Sequence, residues 1–234
     1  MKLSVIIPVY NEETYLAKYL DRIYSQLLKH GLDFELIISE NGSLDNTRQL
    51  AADFARTHPK SRVITSQVAN YGLAVKSGFL AGHGEYLVLF DLDYFDVDFV
   101  SKALEMMPPF EAVVGAKRGK GANDSRNFSR KLVTFSFTLL LKLFFGMKIS
   151  DTHGIKILSR KAFLPIIKKT KFTKEIFDTE VLIRGEYEGL QIGEIGVTVA
   201  ENRVSRSSIF IRALRTIKDL INLKVILSSE YGQL

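Results

Sequence analysis

Tyr86-Leu87-Val88-Leu89-Phe90-Asp91-Leu92-Asp93 passes from an apolar run directly into two carboxylates one residue apart. In extended backbone, residues i and i+2 point to the same side, so a strand ending here presents both carboxylates at its carboxyl edge. Such a pair suits a hard divalent cation. Mg2+ keeps several waters and takes one or two carboxylates together with the phosphates of its substrate, so a phosphorylated ligand is expected beside Asp91 and Asp93. The plainer reading is a solvated pair of strand-end aspartates, and the surrounding chain decides between the two.

Working outward, strand and helix patterns alternate. Leu3 to Val9 is an apolar, β-branched run, and Asn11-Glu12-Glu13-Thr14 then opens an amphipathic helix with Leu16, Tyr19, Leu20, Ile23, Tyr24 and Leu27 on one stripe, stopped by Gly31. Phe34 to Ser39 reads as a second strand, Asn41-Gly42-Ser43 as a turn, and Asp45 to Ala55 as a helix with Asp45 as its N-cap. A short strand over Val63 to Thr65 and a helix over Val75 to Ala81 lead back to Tyr86 to Phe90. This order predicts an α/β fold with a mostly parallel sheet and helices on both faces. Ligands of such sheets bind at the carboxyl ends of the strands, where Pro8 to Glu12, Ser39 to Asn41 and Asp91 to Asp93 converge.

The chain has 234 residues, 46% of them hydrophobic and 25% charged, which describes a globular protein. Cysteine is absent, so disulfides, zinc thiolates and a cysteine nucleophile are excluded. No basic segment followed by an apolar one opens the chain, and the expectation is a protein that is not secreted. The longest apolar stretch, Leu132 to Phe145, is interrupted by Lys142 and too short to span a bilayer. Charge is distributed unevenly. Residues 1–100 carry nine Lys and Arg against 13 Asp and Glu, whereas residues 101–234 carry 23 against 13. An acidic half suits a cation and a basic half an anion or an acidic membrane surface; nucleic acid is not expected, since the basic residues form no dense block.

Four blocks then recur in a familiar order: Val5-Ile6-Ile7-Pro8-Val9-Tyr10-Asn11-Glu12, Glu40-Asn41-Gly42-Ser43-Leu44-Asp45-Asn46-Thr47, Asn70-Tyr71-Gly72-Leu73-Ala74 and Asp91-Leu92-Asp93. They resemble the successive motifs of family 2 glycosyltransferases with the GT-A, Rossmann-like fold. Asp151-Thr152-His153-Gly154-Ile155-Lys156, the stretch Phe177 to Arg184, and Glu194 to Val197 with Arg203 to Ser208 are similar to later blocks of the branch that makes dolichyl-phosphate mannose and glucose. The resemblance covers residues 3–208. It implies a transferase domain over residues 1–208, with a nucleotide-sugar and metal half over 1–100 and an acceptor half over 101–208, followed by a basic amphipathic helix over 209–234.

By that resemblance, Pro8, Tyr10 and Glu12 line the nucleotide, Ser39 and Asn41 lie near its base, and Phe90, Asp91, Leu92 and Asp93 meet the diphosphate, with Asp91 and Asp93 binding Mg2+ or Mn2+. The chain departs from the family in two places. Glu40-Asn41 stands where paired aspartates are usual, and Phe95 stands where the mannose synthases carry a further metal-ligating glutamine, while Asp96 and Asp98 read as the solvated start of a helix. Lys117, Arg130, His153, Arg203 and Arg206 are the implied acceptor-phosphate residues. The lysine that usually closes the Arg203 block is missing, with Arg206 close by.

The expected reaction moves a hexose, from a donor of the GDP-mannose or UDP-glucose type, to a polyprenyl or dolichyl phosphate with inversion. A phosphate acceptor is already ionised near neutral pH, so Asp91, Asp93, Arg130 and Arg203 would act on charge rather than as a base. A hydroxyl acceptor would need a base, for which Asp178, Glu180 and Asp151 are candidates; a non-catalytic scaffold of the same fold would bind no nucleotide. A nucleotidyltransferase is disfavoured, because Pro8 to Glu12 contains no glycine. Leu132 to Phe145 and Ile209 to Leu227 read as basic amphipathic helices. They suit an enzyme peripheral to the cytoplasmic face of a membrane, with or without an anchoring partner subunit.

Overall fold

Val5, Ile6 and Ile7 are β-branched, point alternately to opposite faces, and are all fully buried, so β1 (Leu3–Val9) is covered on both sides. The computed structural model describes residues 2–118, 121–174, 176–199 and 209–232. After β1 come α1 (Leu16–Lys29), β2 (Phe34–Asn41), α2 (Thr47–Thr57), β3 (Ser61–Ser66), α3 (Tyr71–Ala81), β4 (Tyr86–Leu89) and α4 (Val97–Met106). The second half contains β5 (Ala112–Ala116), β6 (Asn123–Asp124), α5 (Phe128–Phe145), β7 (Lys156–Ser159), α6 (Arg160–Lys169), α7 (Phe177–Tyr187), β8 (Ile192–Gly196), β9 (Thr198–Val199) and α8 (Ile209–Tyr231).

Seven strands form one sheet in the order β3-β2-β1-β4-β7-β5-β8, while β6 and β9 make a small parallel ribbon. Only β7 runs against its neighbours, β4 and β5. The sheet is therefore mostly parallel, and its strands β1, β2 and β4 end together, as the alternating sequence pattern predicts. Leu3, Val5, Ile7 and Val9 face a core shared with α1, α2 and α4; Ile6 faces a second core built with α3, α6 and α7. Each fully buried Leu, Ile or Phe here contributes about 1.5–3 kcal/mol, so the two cores dominate the stability.

Local chemistry sets the boundaries. α1 buries Leu16, Leu20, Ile23, Tyr24 and Leu27 and is terminated by Gly31, whose φ of +64° suits a residue without Cβ. α2 starts at Thr47, two residues later than predicted, because Asp45 accepts bonds from Thr47 N and Glu13 N across the loop. α3 starts earlier, at Tyr71, because the Asn70 side chain accepts from Leu73 N.

α7 is buried at every position from Phe177 to Gly185. Its charges are compensated internally: Glu180 accepts from Arg184 Nε at 2.8 Å and from Lys171 N and Phe172 N, and Arg184 also pairs with Glu230 of α8. That helix buries Leu220, Leu223 and Leu227 against the second core and leaves Ile217, Ile221 and Val225 exposed. On α5, Leu132, Val133, Phe135, Leu139 and Leu143 are exposed while Leu141 and Phe145 are buried. Among the described residues, no helix is long and apolar enough to cross a membrane.

Glu35 on β2 gives the fold a titratable tie. Burial pushes its carboxyl up, but the His83 N–H, the Ser4 hydroxyl at 2.6 Å and Arg62 outweigh burial and hold it below its ordinary 4.5. A depressed folded-state value contributes stability above pH 4.5 that is lost as pH falls through the folded value. Glu35→Gln should therefore flatten the acid limb of stability. Urea midpoints between pH 7 and pH 3 check this, and an unchanged slope would refute it.

Candidate active site

The loops after β1 and β2 are bound to each other. Asn11 adopts φ +52°, its side chain accepts from Leu44 N, and its own N–H donates to Ser43 Oγ. Glu12 N donates to Thr47 Oγ1 at 2.7 Å. The first two sequence blocks thus form one rigid rim, above which Tyr10 is exposed. Glu40 is buried and held by Arg48 Nε at 3.0 Å and Ser43 N, so it braces that rim.

A chain of contacts then crosses to β4. Asn41 Oδ1 accepts from Asn70 N at 2.6 Å, Asn70 caps α3, and Tyr71 brings its hydroxyl to 3.5 Å from Asp91 Oδ1. Ser39 donates its hydroxyl proton to Ala74 O. Ser39 and Asn41 therefore tether α3, and Pro8 sits opposite Ser39 in the register of β1 and β2.

At β4 the backbone differs from the expectation. The strand ends at Leu89, and Asp91 and Tyr94 exchange both backbone bonds at 3.2 Å, closing a tight turn over Leu92 and Asp93. The two aspartates are thus not neighbours on one face of an extended strand. Asp91 turns toward α3 and α7; Asp93 borders a cavity between α1 and α4. The side chains of Phe90 and Leu92 are buried in the core, so any contact they make with a nucleotide sugar would come from their backbone. Asp96 caps α4 through Phe99 N and Asp98 pairs with His30 at 3.0 Å, as befits a helix start.

Beneath Asp91 lie two residues whose importance the spacing alone conceals. Leu89 stands opposite Lys156 in the β4–β7 register, so Lys156 enters the same core as Leu89. There its Nζ meets Asp178 Oδ2 at 3.0 Å, with both side chains almost fully buried. The signal for Lys156 was a lone cation inside Ile155-Lys156-Ile157-Leu158. Burial raises the Asp91 carboxyl to about 6; Lys156 and Lys117 oppose that rise and Asp178 and Asp93 add to it.

The acceptor-side candidates are distributed differently. Lys117, just beyond β5, pairs with Asp151 at 2.9 Å, and Asp151 accepts from His153 N. His153 is exposed, its ring edge-on to Phe137 of α5 at 5.1 Å. Arg130 lies in the first turn of α5. Arg203 and Arg206 lie outside the described residues. Thr152 bonds Thr179 of α7 at 2.9 Å, joining the Asp151 loop to the Asp178 helix. Gly154 allows this: a Cβ there would stand 2.4 Å from the Gly115 carbonyl oxygen. Gly154→Ala should cost about 1–3 kcal/mol by overpacking, read as a lower denaturation midpoint; no change would show that the loop yields freely.

Oxygen donors at this centre fit a hard divalent cation. Asp178 Oδ1 is buried with no hydrogen-bond partner among the described residues, and the desolvated Asp91 lies in the field of two further carboxylates. Among the described residues there is no group of three or more His, Cys, Asp or Glu placed to hold a metal ion.

Residues 4–165 match the family described as Glycosyl transferase family 2. The chain belongs to that family. This family 2 transferase is 30% identical over 247 residues to dolichyl-phosphate beta-glucosyltransferase of Saccharomyces cerevisiae, a match covering 95% of this chain and 74% of the yeast protein. The human dolichyl-phosphate beta-glucosyltransferase is 28% identical, covering 96% and 75%. Among solved structures, mannosyl-3-phosphoglycerate synthase from Rubrobacter xylanophilus superposes with a TM-score of 0.74 at 17% identity, over 100% of this transferase and 76% of that chain. Glucosyl-3-phosphoglycerate synthase from Mycobacterium tuberculosis, solved with Mn2+, UDP and glucosyl-3-phosphoglycerate, gives 0.65 at 19% identity, over 99% and 80%. The fold is thus that of GT-A glycosyltransferases.

Proposed function

We propose that this glycosyltransferase moves glucose, with inversion, from a UDP-glucose type of donor to a polyprenyl or dolichyl phosphate. The observation that carries the reading is the make-up of the crevice: carboxylates Asp91 and Asp93 at the end of β4, and the cation Lys117 at the end of β5. Such a crevice holds a cation-bound diphosphate beside a second anion. The names of the relatives at 28–30% identity support glucose over mannose and a dolichyl phosphate acceptor.

Tyr10 offers a ring for the donor nucleoside, and the rim made by Asn11, Glu12 and Ser43 fixes its place. Asp91 and Asp93 would hold Mg2+ or Mn2+, a choice supported by the Mn2+ complex of the structural neighbour. When bound, the ion neutralises charge on the departing diphosphate. Lys117 and Arg130, with Arg203 and Arg206, hold the acceptor phosphate against the repulsion of the donor. No base is required, because the attacking oxygen is already anionic. A second reading, transfer to a hydroxyl, would need a base, and Asp178, whose Oδ1 has no hydrogen-bond partner among the described residues, would be that group.

The exposed stripe Leu132, Phe135, Leu139 and Leu143 of α5, flanked by Lys131 and Lys142, would lie in the headgroup region on the cytoplasmic face, where the acceptor's phosphate emerges. The deciding experiment supplies Mg2+ or Mn2+, a panel of UDP- and GDP-sugars, and a short polyprenyl phosphate. A glucolipid from UDP-glucose is the expected product. Transfer only to hydroxyl acceptors would refute the lipid-phosphate assignment.

A further inference from the structure

A cavity of 560 Å3 opens between α1 and the 91–98 segment, on the side of the sheet away from Lys156 and Asp178. One face of α1 supplies Tyr19, Arg22, Gln26 and Lys29, residues spaced at one helical stripe, and His30 follows at its C-cap. Opposite stand Tyr94 and Phe95, with Asp93 on the rim. This volume lies in the range that accommodates small-molecule ligands.

The charges lining it are unequally satisfied. Asp98 is paired with His30, and Asp96 is engaged as the cap of α4. Arg22 is different: its guanidinium carbon sits 5.8 Å from the Tyr19 ring centre and 5.6 Å from that of Phe95, and among the described residues it has no carboxylate partner. Lys29 has none either. Two aromatic rings thus hold a planar cation in place while leaving its N–H edge unused, an arrangement suited to bidentate recognition of an oxyanion. This also gives Phe95 a role that its position in the sequence did not disclose.

We infer that this cavity is a binding site for the phosphate group of a small soluble ligand, held by Arg22 and Lys29 with its body against Tyr94 and Phe95. The site borders the proposed donor position through Asp93 and shares none of the proposed acceptor residues. Because Asp93 forms its rim, occupancy would be transmitted to the 91–94 turn, and through it to donor binding.

The test titrates inorganic phosphate and glycerol phosphate into the full chain, without metal or nucleotide, and follows backbone amide NMR shifts. Saturable shifts are expected in residues 22–30 and 93–98, with affinity reduced about tenfold in Arg22→Ala, which removes the bidentate donor, and several-fold in Phe95→Leu, which removes a ring that orients it. Lys117→Met should leave those shifts in place. The inference is overturned if the shifts are absent, if they survive Arg22→Ala in a variant with native circular dichroism, or if they follow Lys117. A response only to vesicles bearing phosphatidic acid would overturn the soluble source of the phosphate.

Discussion

Asp91→Asn should lower turnover by about three orders of magnitude, equivalent to about 4 kcal/mol of transition-state stabilisation, with the fold retained. The substitution keeps size and shape at a position whose neighbours are Tyr71, Asp93 and the Lys156–Asp178 pair. What it removes is one negative charge at the place assigned to the cation and the leaving diphosphate. Circular dichroism and a urea midpoint close to wild type, together with single-turnover rates at saturating donor, provide the check. A variant that retains a tenth or more of the rate would remove Asp91 from the proposed metal site. Asp93→Ala should show a similar loss, since no third carboxylate ligand is ready among the described residues.

The largest effect on stability is expected at the pair beneath that site. Asp178→Ala leaves Lys156 with a buried ammonium at 1% exposure and no opposing charge at 3.0 Å. Removing one partner of a buried ion pair costs about 3–5 kcal/mol, a large part of the 5–15 kcal/mol that holds a typical domain together. The double variant Lys156→Met, Asp178→Leu removes both charges and fills the space, so most of the loss should be recovered. Chemical denaturation of the two singles and the double forms a thermodynamic cycle. If the double variant is as unstable as Asp178→Ala, packing rather than charge accounts for the site.

The sequence was most legible where periodicity and burial agree. β1, α1 and β2 follow directly from β-branched runs and a 3.6-residue stripe, because two cores enforce those periods. The crevice at the strand ends was legible as well, since parallel β1, β2 and β4 must end on one side. Local hydrogen bonding was harder to anticipate. The turn at Asp91 to Tyr94 arises from a backbone exchange that leaves no trace in the i, i+2 spacing, and it follows a strand that ends at Leu89, before the two aspartates. Phe90 and Leu92 stand in a block that the family resemblance links to the nucleotide sugar, and their side chains are buried in the core. Asn41 and Ser39 carry groups suited to a base, while their observed bonds tie α3 in place. Lys156 and Phe95 gained meaning only through partners distant in sequence, Asp178 across the sheet and Arg22 on α1. Pairings of that kind are tertiary, and no single-sequence period encodes them.

The link between Arg184 and Glu230 extends the site further along the chain than any of its motifs. Arg184 is fully buried on the helix that carries Asp178, and Glu230 belongs to the final turn of α8. Trimming from that end should therefore show a step at Glu230, whose loss leaves the buried Arg184 with Glu180 as its remaining carboxylate partner inside the scaffold of the crevice. In engineering terms, the last helix is a keystone for the chemistry more than fifty residues upstream, and a fusion partner at that end must leave its final turn wound.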